Sequence, residues 1–283
     1  MDGQSTRRIE NKRMQFILLL TLAWLGLVYE ASSAFVSATS DANTRKTIIF
    51  IPLDERYATR GLWLNLVRLA NNQYDVKTPS LDLISHRKQP ANFKKLQQWV
   101  DETISSSNTS TTSFIFSFEQ LIYGGLIASR TGNETQETIM ERVDWLVNLK
   151  KQYKRMRFYC STTVMRIPAY NGDFEEPWYW ENYGKDLFEY SFYTSRYSHL
   201  KNQSDLIQAN HYKSLVPENV LYKFLWRRER NFNVTNALFH FQKEYNSMFD
   251  SLYLTLDDTG TYGFNVDESL KLKKLKTSLN LNK

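Results

Sequence analysis

Lys46-Thr47-Ile48-Ile49-Phe50-Ile51-Pro52 is a β-branched, aromatic run closed by a proline, and Asp54-Glu55-Arg56 follows at once. A run without polar alternation fits a strand buried on both faces, as in a parallel sheet. Outward from it, the pattern repeats. Leu62, Leu66, Leu69 and Ala70 recur at helical spacing, and Asp75-Val76-Lys77-Thr78 suits a brief second strand. Phe93, Leu96, Val100 and Ile104 mark an amphipathic helix, and Thr112–Phe118 a third strand. A helix through Ile139, Val143, Leu146 and Val147 leads to a strand at Arg157–Thr163. Residues 180–248 read as a helical excursion, and Ser251–Leu256 as the last strand. Strand–helix alternation predicts an α/β domain with a mainly parallel sheet and helical crossovers, open and Rossmann-like. The alternative is a partial β/α barrel.

The chain has 283 residues and a net charge of +6. Four basic residues and three acids lie in 1–34, and five lysines in the last thirteen residues, so the body is near neutral. A neutral body lacks the basic field that nucleic-acid binding requires. Basic residues followed by an apolar run, Met14 to Val28, and then Ala31-Ser32-Ser33-Ala34 predict a signal peptide over 1–34. The run is short for a membrane span of about 20 residues, so membrane contact would come only through an uncleaved leader acting as a single-pass anchor. Residues 35–45 form a polar linker, 46–268 the α/β domain, and 269–283 a basic, disordered tail. Asn-x-Ser/Thr triplets at Asn108, Asn133, Asn202 and Asn233 suit a secreted or lumenal glycoprotein, with Asn108 the foremost acceptor and Asn233 in a helix. The single cysteine, Cys160, excludes an internal disulfide and reads as a buried, inert thiol.

Each strand ends in polar or glycine-rich sequence. Asp54, Glu55 and Arg56 follow the first; Glu119, Tyr123, Gly124 and Gly125 follow the third. Arg166 follows the fourth, and Asp257, Asp258 and Tyr262 the last. A parallel sheet brings strand carboxyl ends to one edge, where ligands bind. The same residues also serve as caps, turns and salt bridges. Asp54, Glu55, Asp257 and Asp258 are the candidate catalytic carboxylates, since glycoside hydrolysis uses a carboxylate pair. Trp178, Tyr179, Trp180 and Tyr183 are candidates for a sugar platform. Arginines suit an anionic small molecule, and clustered carboxylates would suit a hard cation in a metal-dependent hydrolase. No histidine pattern designates a metal site, and no motif designates a cofactor. A non-catalytic module binding a glycan or an anion is the competing reading.

Ile51-Pro52-Leu53-Asp54-Glu55-Arg56, Tyr123-Gly124-Gly125-Leu126-Ile127-Ala128-Ser129-Arg130, Met165-Arg166-Ile167, Arg228-Glu229-Arg230-Asn231 and Asp257-Asp258-Thr259 with Tyr262-Gly263 occur in this order. Together they resemble the signature blocks of the domain of unknown function 4127, over about residues 46–268. The resemblance adds Arg130, Arg230 and Asn231 to the ligand-binding candidates. It implies no reaction, because the family has no established activity. Tyr57 stands where the family usually has proline, and family members look longer, so the chain resembles an amino-terminal portion of them.

Overall fold

The computed structural model describes residues 46–69, 74–245, 248–257 and 260–281. The leader, the linker and Asp258 lie outside them. Five strands, β1 (Lys46–Ile51), β2 (Tyr74–Lys77), β3 (Thr112–Ser117), β4 (Arg157–Val164) and β5 (Ser251–Leu256), form one all-parallel sheet in the order β2-β1-β3-β4-β5. The sheet is open and not closed into a barrel. Register runs Ile51 to Phe116 across β1 and β3, and Phe116 to Cys160 across β3 and β4.

Side-chain alternation explains why the centres of β1 and β3 carry apolar residues on both faces. Ile48 and Phe50 of β1, Ile115 of β3 and Tyr159 of β4 form one cluster with Trp63 and Val67 of α1 (Leu62–Leu69). Phe50 stacks on Trp63 with centroids 3.8 Å apart. Ile49, Ile51, Phe114 and Phe116 point to the opposite face and are equally buried. Right-handed crossovers put α2 (Phe93–Ser105) and α4 (Gln136–Gln152) on the face opposite α1, because β2 and β3 lie on either side of β1. α2 starts at Asn92, whose side chain caps the backbone N–H of Lys95, and buries Leu96, Val100 and Ile104. α3 is the short helix Leu126–Thr131.

The excursion is helical, as expected: α5 (Trp180–Leu200), α6 (Gln203–Leu215) and α7 (Glu218–Glu244), with no strand among its described residues. Tyr179, Trp180, Leu187, Val220 and Phe224 form its core, with Phe264 packed against it. The chain divides into two compact units. The first holds residues up to 128, 141–162 and 247–255; the second holds 129–140, 163–246 and 256–283. The basic tail is not disordered where it is described: α8 runs from Phe264 to Ser278 and buries Leu272. Lysines at Lys271, Lys273, Lys274 and Lys276 surround Leu272 and obscure its apolar anchoring in the sequence. No helix among the described residues is long and apolar enough to cross a membrane.

Candidate functional site

In the first unit, the strand order reverses between β1 and β3. Such a switch point leaves a crevice outside the strand carboxyl ends, because the crossovers on either side depart to opposite faces. Asp54 and Glu119 each stand three residues beyond the paired Ile51 and Phe116. A π-turn follows each strand, Tyr57–Gly61 after β1 and Glu119–Tyr123 after β3. Turns of this kind are rare and recur at functional sites.

Asp54 is buried and multiply bonded. Arg56 donates to its Oδ2 from Nε at 2.9 Å and from Nη2 at 2.6 Å. Its Oδ1 accepts the backbone N–H of Arg56 at 3.0 Å and the hydroxyl of Thr59. Glu119 is 3% exposed. Its Oε2 accepts from Ser117 Oγ at 3.0 Å, and its Oε1 from Thr162 Oγ1 at 2.9 Å. Burial pushes the Cys160 thiol well up, which fits an inert cysteine. Glu55 turns outward: its Oε1 accepts the backbone N–H of Arg87 at 3.0 Å and lies 3.3 Å from His86 Nδ1.

Tyr123, Gly124 and Gly125 build the wall of this region. Gly124 has φ +81° and its carbonyl accepts from Ala91 N at 2.8 Å. Gly125 has φ +140°, and a Cβ there would stand 2.5 Å from Ser85 Cβ. Gln120 Oε1 accepts from Ser85 Oγ at 2.8 Å, fixing the same loop. Gly124 is therefore required by the close backbone of Ala91, and Gly125 by the close side chain of Ser85.

The second unit gathers the remaining candidates into an ion network. Arg130, 2% exposed, donates from Nη2 to Asp257 Oδ2 at 2.6 Å, and its Nη1 lies 3.6 Å from Glu176 Oε1. Arg166 donates from Nε to Glu176 at 2.8 Å and from Nη2 to Glu175 at 2.9 Å, and its Nη1 lies 3.8 Å from Asp257 Oδ2. Burial opposes the charge of Arg166, but Glu176 and Asp257 outweigh it and raise its pKa. Asp257 is thus held between two guanidinium groups, which suits architecture better than a free acid or base.

Arg230 and Asn231 also serve the backbone. Arg230 donates to the carbonyls of Ser129, Gly132 and Glu134 at 2.8–3.1 Å, and Asn231 Nδ2 to Ser129 O at 2.9 Å. Arg227 adds Gly132 O at 3.1 Å and Tyr179 Oη at 2.8 Å. Tyr262 lies edge-on to Phe192 and beside the His199 ring. The proposed aromatic platform does not form: Tyr179 and Trp180 are core residues, Tyr183 packs on that core, and only Trp178 is exposed, at 56%. Thr59, Ser117, Thr162, Glu175 and Glu176 were absent from the sequence candidates; the repeated acid at Glu175-Glu176 beside an arginine motif was the available signal. Among the described residues no group of three or more His, Cys, Asp or Glu is placed to hold a metal. A separate cleft of about 430 Å³ lies between α2 and α4, lined by Asp101, Trp145 and Tyr153 among others.

An open parallel sheet with carboxylates at its switch point defines an α/β protein of the doubly wound class. Within that class, residues 48–283 match the model of the family described as protein of unknown function (DUF4127), and the chain belongs to this family. The match runs through α8, beyond the limit near residue 268 expected from the motifs. No curated protein and no solved structure matches the chain.

Proposed function

We propose that this chain is a secretory-pathway hydrolase acting on glycosidic or related bonds, with Asp54 and Glu119 as its carboxylate pair. The observation that carries the reading is their equivalent placement beyond paired residues of β1 and β3, at the switch point. Adjacent strands lie about 4.8 Å apart. That placement is compatible with the separation of about 5–10 Å used in glycoside hydrolysis. Their surroundings differ as a division of labour requires. Asp54 is paired with a guanidinium, and Glu119 sits among hydroxyls. Glu119 supplies the proton to the leaving oxygen. Asp54 supplies the carboxylate opposite, with Arg56, whose side chain is 40% exposed, drawn aside by the substrate. The sugar or anionic ligand meets Glu55, His86 and Arg87 at the rim. Asp257 is left out because two arginines hold it.

Turnover of a panel of oligosaccharides by the purified protein tests this. Glu119→Gln and Asp54→Asn are expected to lower kcat by about 10²–10⁴-fold, with Glu119→Gln melting close to the parent. If the parent binds glycans but cleaves none, the non-catalytic binding reading replaces this one. The secretory reading rests on the leader and the sequons. Retention of Met1 on a cytosolic product would overturn it, and retention of the leader on a membrane-bound product would make it an anchor.

A further inference from the structure

We propose that Asn108, Asn133 and Asn202 carry N-linked oligosaccharides and that Asn233 does not; the inference rests on the secretory reading above. The modification joins the amide Nδ2 to the anomeric carbon of a lipid-diphosphate-linked oligosaccharide. The bond from that carbon to the diphosphate oxygen breaks, the lipid diphosphate departs, and one amide proton is lost. The product must still fold, so Nδ2 needs open solvent and cannot be committed to a packed partner.

Asn108 is exposed in the turn between α2 and β3, and its Oδ1 accepts from the backbone N–H of Ser110 at 3.2 Å and its hydroxyl at 2.7 Å. Asn202 is exposed at the N-cap of α6 and makes the same pair with Ser204, both at 3.0 Å. In each sequon the asparagine therefore engages its own hydroxyl residue through Oδ1 and leaves Nδ2 to solvent. Asn133 is exposed between α3 and α4, and only its Oδ1 is engaged, by Arg227 Nη2 at 3.0 Å. An attached sugar leaves that acceptor in place.

Asn233 is different on each count. It lies mid-helix in α7, is half-buried, and donates Nδ2 to Gln136 Oε1 at 3.1 Å. Its sequon threonine, Thr235, is buried. A glycan there would displace α7 from the segment it packs on.

The test is to express the chain in a eukaryotic cell behind a leader known to be cleaved, and in parallel behind residues 1–34. Glycosidase release in heavy-oxygen water converts each occupied asparagine to a labelled aspartate, read by peptide mass. Label at Asn108, Asn133 and Asn202, with the Asn233 peptide unlabelled, is the expected result. Label at Asn233, or any of the other three sites mostly empty in secreted, folded protein, overturns the proposal. Ser110→Ala and Ser204→Ala should each remove one glycan while leaving both asparagines. If the borrowed leader yields this pattern and the native one leaves the protein in the cytosol, the secretory reading fails and the site pattern stands.

Discussion

Arg228 is buried in α7 with each guanidinium nitrogen engaged: Nε and Nη2 clasp Glu268 at 2.9 and 2.6 Å, and Nη1 and Nη2 reach the carbonyls of Arg166 and Met165. Burial raises the Glu268 pKa above its ordinary value of 4.5, while Arg228 works to lower it. A carboxyl raised in the fold binds its proton more readily folded than unfolded. Its contribution to stability is therefore present below the unfolded pKa and lost as pH rises through the folded one. Arg228→Ala leaves the partly buried Glu268 without its main counter-charge and should cost about 1.5–3 kcal/mol near neutrality. Urea midpoints should show a smaller deficit at pH 5 than at pH 8, because a protonated Glu268 needs no partner; an equal deficit at both would refute this role. The motif Arg228-Glu229-Arg230-Asn231 was legible in the sequence as a block. Its bonds to backbone carbonyls were not, since they depend on segments about 60–100 positions away.

The π-turn Glu119–Tyr123 ends in Gly124 and Gly125, and that ending sets how β3 hands its chain to α3. Gly124 caps the turn in the left-handed region, where a Cβ is disfavoured. Gly125→Ala meets the wall formed by Ser85 as well as an unfavourable φ, so it should destabilise by more than about 1 kcal/mol. Gly260→Ala, where an added Cβ would meet only Tyr262 O at 3.7 Å, is the matched control and should shift the melting temperature far less. Equal shifts for the two variants would show that the turn tolerates a side chain. Pattern alone revealed a turn after β3. It did not reveal the π geometry, or that the turn docks on the loop at Ser85 and Ala91.

On the scale of the molecule, the central strands β1, β3 and β4 are buried and paired on both sides, whereas β2 is short and half-exposed at the edge. Hydrogen exchange should therefore be slowest at Ile49–Ile51, Phe114–Phe116 and Phe158–Cys160, and faster at Val76; uniform protection across the five strands would contradict the sheet order. Strand positions, the helical excursion and the parallel sheet followed from sequence, because buried strands must be continuously apolar and crossovers need amphipathic helices. The helix over residues 269–278 escapes a periodicity reading, because a lysine-rich helix with one buried leucine carries little periodic signal. Pattern along the chain marks which residues end each strand, and parallel pairing gathers those ends at one edge. Which of them have partners is set by packing. Asp257 meets Arg130 across 127 positions, Glu119 meets Thr162 across 43, and Asp54 is closed by its neighbour Arg56. Local pattern reports burial and backbone conformation. Pairing of charges is settled by packing between distant segments, which no local pattern encodes.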